Sequence, residues 1–171
     1  MPRLSNVWPV AVALLAIVLG CTSQDPRTES LRKKFVLAAE PSGAKTIADS
    51  REQVGERAEV VVVGRISGGD VEPWADGQAA FMIAEALPAD DGHANAAGHD
   101  PTTCPFCRRR AAKANATALV QFHGDDGKLL DIDARKLLGV AKDQTVVVQG
   151  QGSVNDLGVL VIAANGIHVR Q

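Results

Sequence analysis

The chain predicts a mainly β protein, a small barrel with one or two short helices, on three observations. Short runs rich in Val, Ile and other apolar residues recur, as at residues 59–66, 79–87, 117–122 and 145–152. Most of these runs stop at a group of Gly, Asp, Asn or Pro, the residues that end strands and make turns. Glycines also fall inside the runs, at Gly64 and Gly150, where a strand bulges or bends to close a barrel.

The elements follow in order. Residues 22–28 are polar and include Pro26, as in a tether. Residues 30–39 form a short helix with Leu31, Phe35 and Leu37 as its apolar positions, ended by Pro41-Ser42-Gly43. Periodicity leaves 46–54 open between helix and strand. The run 59–66 is the first strand, closed by Ser67-Gly68-Gly69-Asp70, and 79–87 is the second, with Pro88 just beyond. Residues 117–122 are the third strand, and the turn 124–127 leads it toward 129–132. Asp133 caps a short helix over 134–138 that Gly139 closes. Residues 145–152 and 159–164 form a hairpin around Asn155-Asp156, and 167–169 end the chain as a short strand.

Five principal strands with a helix between the third and fourth resemble an OB-fold barrel. The resemblance spans roughly 46–170, and rests on residues 54–66 opening the domain and the 146–152 hairpin strand closing it. It implies a barrel face of the kind that binds single-stranded nucleic acid or oligosaccharide. Base stacking needs exposed aromatic rings in a basic groove. Here there are four Phe, two Trp and no Tyr, with a formal net charge of −2. Phe81 and Phe122 belong to apolar strand patterns, which leaves Trp74, in the loop 72–76, as the one candidate platform; a loop tryptophan also folds back to cap a barrel end. No nucleic-acid partner is expected.

The N-terminus carries an address. Arg3 precedes an uncharged, largely apolar run over 7–19, shorter than the roughly 20 residues a bilayer span needs and matched to a secretory signal. Val18-Leu19-Gly20-Cys21 then resembles the lipobox of bacterial lipoproteins. That resemblance implies a signal peptide over 1–20, lipidation of Cys21 and a mature protein held by its lipid at the membrane, on the periplasmic face of the cell envelope. The remaining chain divides into a tether and short helix over 21–45 and a single barrel domain over 46–171, interrupted by an insertion at 88–116. About 150 residues suffice for one core. An envelope protein partner is open.

The insertion carries the chemistry. It is long, polar and rich in Gly and Ala, without strand or helix period, and loops of that kind are functional or disordered. It contains His93, His99, Cys104 and Cys107, and His123 follows the next strand. Two cysteines at C-x-x-C spacing occupy two corners of a tetrahedral site for zinc or copper(I), both of which favour thiolate and imidazole. The candidate metal ligands are His99, Cys104, Cys107 and His123, with His93 as an alternative fourth ligand and Asp100 as an oxygen donor or outer partner. Cys104-Pro105-Phe106-Cys107 is also similar to the active-site motif of glutaredoxin-like proteins, which implies thiol–disulfide exchange with Cys104 attacking and Cys107 resolving. Arg108, Arg109 and Arg110 would stabilise the thiolate, although they also read as the solvated basic face of a short helix. No proline follows Pro105, so the later cis-proline of a thioredoxin-type fold is missing. A third reading is a disulfide that only staples the loop of a non-catalytic binding module. His168, alone in the last strand, reads as a structural residue. No Ser-His-Asp grouping, phosphate-binding glycine loop or metalloprotease helix is present, and a non-enzymatic role is expected.

Overall fold

The computed structural model describes residues 25–54, 57–86 and 116–170. Among them are three helices, α1 (Pro26–Phe35), α2 (Ile47–Gln53) and α3 (Ala134–Leu138). Five strands accompany them: β1 (Ala58–Ile66), β2 (Ala80–Ala84), β3 (Thr117–Phe122), β4 (Thr145–Val154) and β5 (Leu160–Val169). The strands close into a barrel in the order β1-β2-β3-β5-β4, with β3 and β5 parallel and every other pair antiparallel. With α3 between β3 and β4, this is the OB-like barrel expected from the sequence.

The register sets how the barrel closes. Ile66 opposes Ile83, Ile83 opposes Ala118, Ala118 opposes Leu160, and Leu160 opposes Val154. Because Ala58 opposes Gly152, the circuit returns to β1 about 10 residues below Ile66, and that stagger tilts the strands across the barrel. Inward positions alternate, with Ala118, Val120 and Phe122 buried on β3 and Leu160, Ile162 and Ala164 buried on β5.

Besides β2, which ends at Ala84, sequence and structure differ at three elements. The first helix lies at 26–35 rather than 30–39, because Asp25 caps it, Pro26 takes its first position, and Val36 leaves it to pair with Ile167. The undecided stretch 46–54 contains helix α2, capped by the Thr46 side chain, which accepts from the Asp49 N–H at 3.1 Å. The two strands expected at 159–164 and 167–169 are one, β5. Its register slips at Gln149/Gly150, which oppose Gly166 and Ala164, so Asn165 is the extra residue of a bulge. Gly150 is required there, because a Cβ on it would stand 2.3 Å from the Ala163 carbonyl oxygen and 2.8 Å from Ala164 Cα.

The segment read as a tether and short helix packs on the barrel from residue 26 onward. Phe35 is buried, and its ring meets Phe122 edge-on at 5.0 Å. Residues 36–40 then run beside the end of β5. The Leu37 N–H donates to the Ile167 carbonyl at 2.8 Å, and Arg170 donates to both Glu40 carboxylate oxygens, at 3.0 and 2.6 Å. His168 Nδ1 lies 3.2 Å from the Leu37 carbonyl; a carbonyl only accepts, so the imidazole is the donor.

Candidate functional site

The topology gives the barrel two distinct ends. β1, β3 and β5 run one way and β2 and β4 the other. One end therefore gathers Ala58, Glu85, Ala116 and the β4–β5 turn. The other gathers the segment after β1, the turn after β3, α3 and the end of β5. The second is called here the α1 end, since α1 lies against it: Lys34 is paired with Asp125 at 2.6 Å, Arg32 donates to the Leu138 carbonyl at 3.5 Å, and Arg27 and Leu31 share a cleft with residues 124–131.

The roots of the insertion belong to the first end. Ala84 opposes Thr117, and the Glu85 N–H donates to the Ala116 carbonyl at 2.9 Å, so β2 and β3 hold both roots of the insertion side by side. Glu85 is buried, and its carboxylate also accepts the Ala48 N–H of α2 at 3.3 Å. That contact ties the insertion's root to the helix plugging this end, where Ile47 is fully buried. Cys104, Cys107, His99, His93, Asp100 and the arginines 108–110 lie outside the described residues, as do Cys21 and the rest of residues 1–24.

His123 is described, and it stands at the α1 end. It follows β3 directly and bridges to Leu129 across the turn 124–128. Six residue steps along β3 separate it from Thr117, about 20 Å at about 3.3 Å per residue. Among the described residues, no three His, Cys, Asp or Glu side chains are grouped to hold a metal ion.

Trp74 caps the α1 end rather than offering a stacking surface. It bridges to Phe81, and the two ring centroids lie 5.7 Å apart. The Arg135 guanidinium covers the indole at 5.5 Å. Phe35, Phe81 and Phe122 are all buried, so every described aromatic ring is spent on packing.

Arg135 is the polar centre of this end. Asp133 caps α3 by accepting the Arg135 N–H at 2.9 Å, and also takes Arg135 Nε at 2.9 Å. Above all, the guanidinium hydrogen bond holds the Asp133 carboxyl down to a pKa of about 2. Asp76 lies 3.5 Å from the same guanidinium. These contacts form a structural network around the Arg135 guanidinium.

Of the clefts that open on the described surface, two lie beside the helices α1 and α2. The one between α1 and residues 124–131 has a volume of about 400 Å³ and mixed charge from Arg27, Lys128, Asp125 and Asp131. The other, of about 270 Å³, lies between α2 and β1 and is lined by Lys45, Ser50, Gln53 and Glu59. Ser50 is buried there with its hydroxyl lacking a hydrogen-bond partner, a demand that one water would meet. Nothing in the sequence signals this second cleft, because it needs α2, whose helical state periodicity left open. No protein-family model matches the chain, and no curated protein matches it at significant sequence similarity.

Proposed function

We propose that this is an exported bacterial lipoprotein, anchored through lipid on Cys21, whose OB-like barrel is a scaffold for a zinc or copper(I) site in the 88–116 insertion. The observation that carries the reading is the pairing of Glu85 with Ala116. The barrel fixes both roots of a segment that holds two thiols at C-x-x-C spacing and two imidazoles. Fixing the roots of a loop lowers the entropy lost when its side chains converge on an ion.

The donor set in this proposal is Cys104 and Cys107 as thiolates and His99 as a neutral imidazole. His93 or solvent takes the fourth position. His123 stands at the far end of β3 from the insertion's roots, about 20 Å along the strand, so it joins the set only where the insertion folds back along the barrel. The role is binding rather than catalysis, and the chain's partner through its lipid is the membrane.

Metal analysis of the full chain purified without oxygen tests this. One equivalent of zinc or copper is expected, lost in Cys104→Ser and in Cys107→Ser and retained in His123→Ala. A metal-free protein whose thiols reduce a disulfide substrate would instead establish the redox reading, which the three arginines after Cys107 favour. A metal-free protein with an unreactive Cys104–Cys107 disulfide would reduce the insertion to a stapled loop.

A further inference from the structure

We infer that the anchored barrel stands with its α1 end toward the membrane and holds the insertion end away from it; the inference rests on the proposed lipidation of Cys21. The geometry begins at Asp25, which caps α1. Three residues, 22–24, separate it from Cys21, and four Cα steps reach at most about 14 Å. Asp25 is therefore confined to a thin layer above the headgroups.

The position of Asp25 on the barrel is fixed by what α1 touches. Arg27 and Leu31 border residues 124–131, Lys34 pairs with Asp125, and Phe35 packs on Phe122. All of these partners belong to the α1 end. The β4–β5 turn, with Asp156 and the 86 % exposed Leu157 at its tip, belongs to the opposite end, together with Glu85 and Ala116. A ten-residue strand such as β4 is about 30 Å long, or about 20–25 Å along the axis of a barrel tilted by about 40°. That span exceeds the tether's reach, so the inverted arrangement, with the insertion end on the lipid, is excluded.

The outward face of α1 suits a headgroup surface. Lys33 is exposed there and paired with Glu29 at 2.7 Å, while Arg27 and Lys34 face residues 124–131, where Lys34 pairs with Asp125. The Lys33–Glu29 pair leaves this face polar and close to neutral, which suits a headgroup layer, and the short tether sets the orientation. The interaction surface assigned here is thus the exposed side of α1, and its partner is a phospholipid headgroup layer. The insertion is thereby presented to molecules on the side away from the bilayer.

The test uses the full lipidated chain in phospholipid vesicles carrying a headgroup quencher, with a genetically encoded fluorescent amino acid at Ser30 or at Asp156. Both positions are exposed, so neither label disturbs packing, and the thiols stay intact. Quenching is expected to be several-fold stronger at Ser30. Equal quenching, or stronger quenching at Asp156, in a chain that floats with the vesicles overturns the orientation while leaving the anchor in place. A wild-type chain that does not float overturns the anchor, and the orientation with it; flotation lost in Cys21→Ser identifies the lipid as the link.

Discussion

At the α1 end, Phe35, Phe122, Phe81 and Trp74 form a continuous stack of rings, sealed by Arg135 and its aspartates. At the other end, the seven-residue helix α2 plugs the barrel through Ile47 and Ala48, the turn carrying Leu157 stands in solvent, and the insertion's roots are joined by Glu85 and Ala116. Large apolar side chains, rigid rings and ion pairs are thus concentrated at the α1 end, where His123 is the one described candidate ligand. The metal-competent residues of the insertion are attached where the barrel has the least to lose. Such a division lets an attached segment vary without endangering the core that supports it.

The sharpest way to break this contrast is to attack the aromatic end directly. Phe122 is fully buried between Phe35 and Phe81, so Phe122→Ala removes the ring that joins α1 to the barrel. A loss of about 3–5 kcal/mol in denaturant unfolding is expected. Gly150→Ala should cost about 3 kcal/mol, because the new methyl meets the Ala163 carbonyl and Ala164 Cα, backbone atoms that cannot swing aside. A loss under 1 kcal/mol for Phe122→Ala would mean that the ring stack is not the main support of the fold.

Excising the insertion tests the opposite end. Residues 87–115 replaced by a short Asn-Gly turn would continue the hairpin that Ala84–Thr117 and Glu85–Ala116 already form. Shortening the connection should stabilise the barrel by about 1–2 kcal/mol through a smaller loop-closure cost, measured as a raised Tm. Metal binding should vanish in the same variant. Unfolding of this variant would show that the insertion is part of the core, and the division between the ends would fall.

Much of the barrel was legible in the sequence because its signals are local. The Val-rich runs, Asp133 before a short apolar stretch, Gly139 after it and the Asn155-Asp156 turn each declare themselves within a few residues, and β1, β3, α3 and β4 lie within a residue or two of where those signals put them. What stayed hidden depends on contacts across the fold. Thr46 caps a helix only because α2 has a core for Ile47 and the Glu85 carboxylate for Ala48. β5 is continuous because β4 carries it past Asn165, and Pro26 starts α1 earlier than its apolar residues imply. For the candidate site, the sequence named the side chains. It did not tell that His123 and the insertion's roots stand at opposite ends of β3, since that follows from strand direction rather than from spacing along the chain.

A smaller effect probes the polar seal of the α1 end. Asp133→Ala removes the α3 cap and the main partner of Arg135, and should cost about 1 kcal/mol at neutral pH. The carboxyl is held at about 2 in the folded protein against 3.8 unperturbed. A depressed folded pKa stabilises the protein above the unfolded value, and that stability is lost as pH falls through the folded one. Wild type and variant should therefore differ fully above about pH 4 and converge near pH 2. A difference that is constant down to pH 2 would mean that Asp133 acts through packing rather than charge.

The smallest effect is expected at the tip of the insertion end. Leu157 is 86 % exposed in the β4–β5 turn, and the backbone there is held by Asn155, whose side chain accepts the Leu157 and Val159 N–H groups at 3.1 and 2.9 Å. Leu157→Ser leaves both hydrogen bonds in place and removes no buried surface, so the unfolding free energy should stay within about 0.5 kcal/mol of wild type. A loss above 1 kcal/mol would show that the leucine is covered in solution. The packing asymmetry between the two ends would then be smaller than the barrel alone implies, and the insertion, rooted at the same end, would be the first place to look for what covers it.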